Sequence, residues 1–159
     1  MLSQPLSRGS RWAASALTVA VVLTTGVWLG PWARADEATN LRDAVTSGRS
    51  GTPCDALRYN DVVDHVAQVI NKSTDDYLNH NATRVPVADP LEGLKEFGYG
   101  GTKAYLLQGA HESEAKAIKG ALLQGYAAIP DCSYTDFGVS IVRNSATGNT
   151  LAVVVLAGP

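Results

Sequence analysis

The feature that most constrains the fold is an almost unbroken apolar segment near the end of the chain. Residues 151–157 read Leu-Ala-Val-Val-Val-Leu-Ala, with no alternation between apolar and polar side chains. A strand with one face in water alternates, whereas a strand covered on both faces is apolar throughout. We therefore predict that Thr150 to Ala157 is the central strand of a sheet that is covered on both faces.

The segments before this strand supply the covering layers. Their apolar residues recur at helical spacing in some stretches, and short apolar runs next to glycine and proline indicate strands in others. The predicted helices are Asp36 to Arg49, a segment capped by Asn60 or Asp61 that ends near Asn79, a short helix from Pro90, and Glu112 to Tyr126; the predicted strands are Lys103 to Gln108 and Asp136 to Arg143. The fold class is therefore α+β, a three-layer α-β-α sandwich with a small, mostly antiparallel sheet and helices on both faces.

The first 35 residues have the three parts of a secretory signal. Arg8 and Arg11 precede an uncharged apolar run from Ala13 to Gly30, and Ala-Arg-Ala follows at residues 33–35. This pattern predicts cleavage after Ala35, which leaves a single domain of residues 36–159. An uncleaved membrane anchor is the alternative, since a run of this length can just span a bilayer.

Two cysteines remain after the predicted cleavage, Cys54 and Cys132. In an oxidising compartment an even number of cysteines is most simply explained by a disulfide. Closing so long a loop stabilises a fold by about 4.5 kcal/mol in the chain-entropy model. Two buried free thiols are the alternative.

Composition excludes several functional classes. The formal net charge of −2 lacks the basic excess that a nucleic-acid binder needs. Two cysteines and three histidines are too few for a zinc ribbon or an iron–sulfur protein. No Gly-x-Ser-x-Gly motif occurs, and the predicted disulfide uses both thiols, so no nucleophile is indicated. We predict no cofactor and no metal, no nucleic-acid partner, and no membrane attachment once the signal is removed.

Several short motifs follow one another along residues 36–159. They are Leu41-x-x-Ala-Val with Arg49, Cys54 to Asn60, Tyr77 to His80, Leu94 to Tyr99, Glu114 to Leu123, Tyr134 to Val139, and Thr150 to Gly158. In this order they resemble the CAP superfamily (cysteine-rich secretory proteins, antigen 5, pathogenesis-related 1), and most of all its short, divergent members in actinobacterial secretomes. The resemblance implies an α-β-α sandwich that is secreted or held in the cell envelope.

The chain departs from the family at the metal-binding cavity. That cavity typically carries two histidines and two glutamates, and only His80 falls on a matching position. Residues 104–106, Ala-Tyr-Leu, stand where the family has Gly-Glu-Asn, and residues 124–126, Gln-Gly-Tyr, stand where it has a histidine. Since three of four ligands are missing, the resemblance implies the fold and secretion but not the metal.

Aromatic side chains offer a different candidate site. His80, Tyr77, Tyr99 and Tyr105 flank the predicted loops and define a candidate cavity. A cleft lined by tyrosines with few charges suits a lipid or another small apolar ligand. The alternatives are core packing for each tyrosine and a place at a helix end for His80.

These observations favour a secreted, non-catalytic domain that binds a small apolar ligand or an unknown extracellular or envelope partner. One alternative is a metal-dependent or acid/base hydrolase that uses His80 with Glu112 or Glu114. Another is a structural protein of the cell envelope.

Overall fold

A computed structural model describes residues 32–159, with side chains from residue 38 onward. The elements, in chain order, are α1 (Trp32–Ser50), β1 (Arg58–Tyr59), α2 (Asp61–Leu78), α3 (Pro90–Glu96), β2 (Lys103–His111), α4 (Glu114–Gln124), β3 (Asp136–Arg143) and β4 (Thr150–Gly158). Within this part of the chain no helix has the length and apolarity needed to cross a bilayer.

The predicted N-terminal signal lies mostly outside the described residues. Its charged start and apolar run fall within residues 1–31, which are not described. The first helix begins at Trp32 rather than at Asp36, so it includes the predicted cleavage site. Cleavage after Ala35 stays a prediction.

The four strands form one mixed sheet in the order β1-β3-β4-β2. The last strand is antiparallel to both of its neighbours, β2 and β3, and all nine of its residues are buried. The prediction of a central strand covered on both faces is confirmed. The sheet also contains β1, which pairs in parallel with the start of β3 and was not predicted.

Helices pack on both faces of the sheet, as predicted. On one face, α1 and α4 contribute Leu41 and Ala121 to a core that includes Val154 of β4. On the other face, α2 and α3 contribute Ile70 and Leu94 to a second core that includes residues 153, 155 and 157. Odd and even residues of β4 therefore serve opposite cores, and the α+β three-layer fold is confirmed.

Two helices begin where the sequence predicts. Oδ1 of Asn60 accepts hydrogen bonds from the backbone N–H groups of Val62 and Val63, at 3.0 and 3.3 Å. These bonds satisfy two of the free donors at the start of α2. Pro90 is the first residue of α3, and Asp89 caps that helix by accepting from the backbone of Leu91 at 2.9 Å.

The predicted boundaries around β2 and α4 are wrong. We predicted a strand that ends at Gln108, but β2 continues through Gly109 to His111, and α4 spans only Glu114–Gln124 rather than Glu112 to Tyr126. The glycine is needed for close packing inside the strand, because a Cβ atom there would lie 2.0 Å from the carbonyl oxygen of Ala117. At Gly120 of α4, by contrast, a Cβ would make an ordinary contact at 3.6 Å.

The predicted disulfide between Cys54 and Cys132 is present, with a Cα–Cα distance of 5.1 Å. It joins the segment after α1 to the segment before β3. No free cysteine remains in the described part of the chain.

Arg49, at the end of α1, reinforces the same region. Its side chain is only 2% exposed, although arginine is rarely buried. The guanidinium donates four hydrogen bonds of 2.6–3.0 Å, all to backbone carbonyl oxygens, those of Asp55, Ile129, Asp131 and Tyr134. These carbonyls flank both cysteines, so one buried cation links the chain on either side of the disulfide.

Candidate functional site

A concave site lies where β1, the start of β3 and the end of β4 meet. It is an open depression of about 590 Å³, which we call the Asp136 recess. It is lined by Arg58, Tyr59, Asn60, Tyr99, Gly100, Gly101, Thr135, Asp136 and Pro159.

The buried carboxylate of Asp136 organises the recess. Its Oδ2 atom accepts hydrogen bonds from the guanidinium of Arg58 at 3.1 Å, the phenol of Tyr99 at 2.9 Å and the hydroxyl of Thr135 at 2.8 Å. Hydrogen bonds to an ionised acceptor are shorter and stronger than those between neutral groups. Asp136 therefore holds three side chains from three segments of the chain in fixed positions.

Arg58 and Asp136 differ sharply in exposure. The side chain of Arg58 is 73% exposed, whereas that of Asp136 is 7% exposed. An ion pair with one partner in water contributes little to stability, about 0–1 kcal/mol. Its main consequence here is positional, because it holds an accessible guanidinium at the rim of the recess.

Tyr99 closes one side of the recess as a neutral hydrogen-bond donor. Burial, together with the hydrogen bond to Asp136, raises the pKa of Tyr99 to about 12. The glycine-rich segment at residues 98–101 makes this placement possible. A Cβ atom at Gly101 would lie 2.4 Å from the Tyr99 ring and 2.1 Å from the carbonyl oxygen of Gly158.

A second depression of about 440 Å³ adjoins the Asp136 recess. Arg58 and Thr135 line both, and the second depression extends to the disulfide at Cys54 and Cys132. The accessible guanidinium of Arg58 therefore lies between two open hollows.

The structure does not bring the four predicted cavity residues together. Tyr99 lines the Asp136 recess, whereas His80 and Tyr77 line a separate depression beside the β3–β4 hairpin, at the far end of β3. Tyr105 lies on β2 and packs against Tyr134, with ring centroids 6.4 Å apart.

His80 has a clear structural role at the end of α2. Its φ angle is 57°, in the left-handed region that favours glycine. Its backbone N–H donates to the carbonyl of Tyr77 at 3.1 Å, and that of Asn81 donates to the carbonyl of Asp76 at 2.8 Å. This pair of bonds is the usual way to end a helix with a left-handed residue. The helix-end interpretation of His80 therefore explains its position.

The arrangement required by the hydrolase alternative is not formed between His80 and Glu114. Glu114 accepts a hydrogen bond from Asn40 of α1 at 3.0 Å, which places it on the α1 face of the sheet. His80 ends α2, on the opposite face, and Glu112 lies in the connection that leads into α4. Among the described residues, no three His, Cys, Asp or Glu side chains are grouped so that they could hold a metal ion.

Asp136 was not among the predicted site residues. The sequence placed Asp136 at the start of a predicted strand and Arg58 within the Cys54 to Asn60 motif. One signal was present, because a lone acid opens the otherwise uncharged segment Phe137 to Val142. Such an acid is buried with the strand and must find donors there.

Comparison with known proteins gives matches only at the level of structure. No family model matches the sequence, and no curated protein matches it significantly. An outer surface protein of Borrelia burgdorferi matches with a TM-score of 0.61 at 12% identity, over 77% of this chain and 92% of that one. A cysteine-rich secretory protein of Staphylococcus aureus matches with a TM-score of 0.58 at 12% identity, over 79% of this chain and 40% of that one. An extracellular protein of Bacillus anthracis with an SCP domain matches with a TM-score of 0.55 at 15% identity, over 79% of this chain and 41% of that one.

The chain has a CAP-like fold. The family resemblance seen in the sequence is thus confirmed as a resemblance of fold. This CAP-like chain spans about two fifths of the Staphylococcus and Bacillus proteins but nearly all of the Borrelia protein. At such low identity the likeness carries no residue roles, so the site must be argued from this chain's own geometry.

Proposed function

We propose that the protein is a secreted, non-catalytic CAP-like domain that binds an extracellular or cell-envelope partner at the Asp136 recess. The observation that carries this proposal is the pairing of buried Asp136 with exposed Arg58. The buried carboxylate fixes the position of the cation, and the cation remains accessible to a partner.

The hydrogen bonds within the recess support binding rather than catalysis. Oδ2 of Asp136 already accepts from three donors, and the raised pKa of Tyr99, about 12, keeps the phenol protonated at physiological pH. A general base needs a pKa near the working pH and a free lone pair directed at the substrate. The two groups instead hold Arg58 and each other in place.

The proposed location outside the cytosol rests on three observations. The N-terminal segment has the pattern of a secretory signal. The domain contains a disulfide, which persists in oxidising compartments. The structural neighbours are described as outer surface, cysteine-rich secretory and extracellular proteins.

The chemistry of Arg58 defines the partner group. A guanidinium presents planar, paired donors that match carboxylate and phosphate oxygens. We therefore expect an anionic group on the partner to contact Arg58 at the rim of the recess. A small apolar ligand, in place of an anionic partner, is the second form of the proposal.

Co-sedimentation with isolated envelopes of the expressing bacterium tests the partner-binding proposal. We expect the secreted protein to sediment with the envelopes, and Arg58→Gln to weaken binding at least about fivefold, as expected for an arginine central to an interface. Lys116→Gln is the matched control, since Lys116 is an exposed cation on α4. Equal sedimentation of the Arg58 and Lys116 variants would contradict a role for the recess. So would failure of the wild-type protein to sediment or to form any crosslinked complex.

A further inference from the structure

The loop between α2 and α3, residues 79–89, carries an arginine at its midpoint, Arg84. Every other lysine and arginine of residues 32–159 lies within a helix or a strand. We infer that the peptide bond between Arg84 and Val85 is a processing site for a trypsin-like endopeptidase. Cleavage there converts the domain into two chains that stay joined.

Arg84 and its neighbours in the loop are accessible. Thr83, Arg84 and Val85 are all exposed, and Val85 is 79% exposed. Within the described part of the chain, none of these three residues makes a hydrogen bond or an ion pair. Pro86 also disfavours the helical conformation at Val85, the residue before it. An exposed loop of this kind is a preferred site of proteolytic cleavage, because the chain enters the protease without first unfolding.

The charge of Arg84 defines the class of endopeptidase. A trypsin-like enzyme binds a basic side chain in a pocket that contains a carboxylate, and it hydrolyses the peptide bond that follows that residue. Arg84 offers an exposed guanidinium with no partner in the described residues, so it is available to such a pocket. Water adds across the bond, which leaves a carboxylate on Arg84 and an amino group on Val85.

The other basic residues are protected by the backbone hydrogen bonds of their elements. Arg58, in the short strand β1, donates from its backbone N–H to the carbonyl oxygen of Thr135 at 2.9 Å, and Lys72 and Lys95 lie within α2 and α3. Cleavage at such a residue requires local opening, which is far less favourable in helices and strands than in loops. We therefore expect the bond after Arg84 to be cut at least about a hundredfold faster than any other.

Contacts on either side of this bond confine the change to the loop. Before it, Oδ1 of Asn79 accepts hydrogen bonds from the hydroxyl of Ser145 at 3.0 Å and from the backbone N–H of Ala146 at 3.1 Å. After it, the backbone N–H of Val87 donates to Oγ of Ser73 at 3.1 Å. Both new chain ends are therefore held close to the cut.

Two features keep the chains together after cleavage. The described residues 79–89 contribute no side chain to either apolar core, so both cores remain intact. The disulfide joins Cys54, which precedes the cut, to Cys132, which follows it. The product is therefore a two-chain protein with the fold of the intact domain.

Limited digestion of the secreted protein with trypsin tests the inference. We expect one early product, which migrates as a single band without reductant and as two bands with it, one chain ending at Arg84 and the other beginning at Val85. Its intact mass should exceed that of the uncut protein by one water molecule, and its far-ultraviolet circular dichroism should be unchanged. An earlier cut at any other bond would overturn the site. Loss of the native spectrum, or chains that separate without reductant, would overturn the two-chain product.

Three variants test whether the side chain of Arg84 determines the cut. Arg84→Gln removes a guanidinium without a partner, so it should leave the fold unchanged and slow the cut at least about a hundredfold. Arg84→Lys keeps a cation and should be cut at close to the wild-type rate. Lys116→Gln is the matched control, because Lys116 is an exposed cation within α4. An unchanged rate in Arg84→Gln, or a rate in Arg84→Lys as low as we expect for Arg84→Gln, would overturn recognition of the cation.

This inference goes beyond the proposed function and does not depend on the Asp136 recess. The recess lies at the start of β3, whereas residues of the loop line the depression beside the β3–β4 hairpin, at the far end of β3. The two-chain protein should therefore sediment with envelopes as the intact protein does, and Arg58→Gln should be cut at the wild-type rate. Failure of either proposal is seen in its own assay.

Discussion

Replacing Arg49 by alanine should destabilise the fold by about 4–6 kcal/mol. The substitution removes the donors of four backbone carbonyls, and hydrogen bonds to charged groups contribute about 1.5–3 kcal/mol each. Part of this loss is offset because a buried cation no longer has to be desolvated, which leaves about 1–1.5 kcal/mol for each bond. Since a domain of this size has about 5–15 kcal/mol of net stability, the variant should be close to unfolding.

Urea denaturation followed by far-ultraviolet circular dichroism measures this effect with the disulfide intact. The control is Arg58→Ala, which removes an exposed arginine and should cost about 1 kcal/mol or less. The loss of unfolding free energy in Arg49→Lys should lie between those of Arg49→Ala and Arg58→Ala, because an ammonium group has three donors and a different shape.

A role of Arg49 as the link between these carbonyls would be refuted by a small effect. This is a decrease of less than about 1.5 kcal/mol in the free energy of unfolding of Arg49→Ala, with an unchanged dependence on urea concentration. That result would mean that the four carbonyls find other partners when the guanidinium is removed. The connection between α1 and the disulfide region would then not depend on Arg49.

Three further predictions concern single sites. Gly109→Ala should lower the free energy of unfolding by about 2–3 kcal/mol, since its Cβ would collide with the backbone of α4. Gly100→Ala is the control and should be nearly neutral, because nothing lies within 4 Å of a Cβ there. Thermal unfolding compares the two variants. His80→Gly should stabilise the protein by about 0.5–1 kcal/mol in the same assay, because it relieves a left-handed side-chain conformation at some cost in chain entropy; a destabilised variant would show that the imidazole makes a favourable contact. Tyr99 should titrate near pH 12, as measured by tyrosinate absorbance. Its pKa in the folded protein lies above the ordinary value of 10.0, so its contribution to stability is present below pH 10 and is lost as the pH rises from about 10 to 12. Asp136→Asn should lower the pKa of Tyr99, because the carboxylate that accepts from the phenol is removed. An unchanged titration of Tyr99 in that variant would refute the hydrogen bond.

Hydrophobic patterning was sufficient to predict the layers of the fold. The uniform apolar run of β4, the helical period of α2 and the caps at Asn60 and Asp89 each depend on residues close together in sequence. The two-residue strand β1 could not be predicted in this way. It is exposed and has no period, and it becomes a strand only because β3 lies beside it.

Contacts between residues far apart in sequence also decide the end of β2 and the residues of the site. The end of β2 was misplaced because a strand-ending glycine and a glycine that admits a neighbouring helix look alike in one sequence. Arg58, Tyr99 and Asp136 are far apart along the chain, and only the fold brings them together. Aromatic character alone also could not show that Tyr77, Tyr99 and Tyr105 lie in different places.

The proposed function requires a domain that works outside the cytosol with Cys54 and Cys132 joined. The most direct test is the intact mass of the protein recovered from an expressing culture after alkylation without reduction. We expect it in the medium or the envelope fraction, beginning at Asp36 and with neither cysteine alkylated. Protein retained in the cytosol with residues 1–35 attached and both thiols alkylated would contradict the proposal.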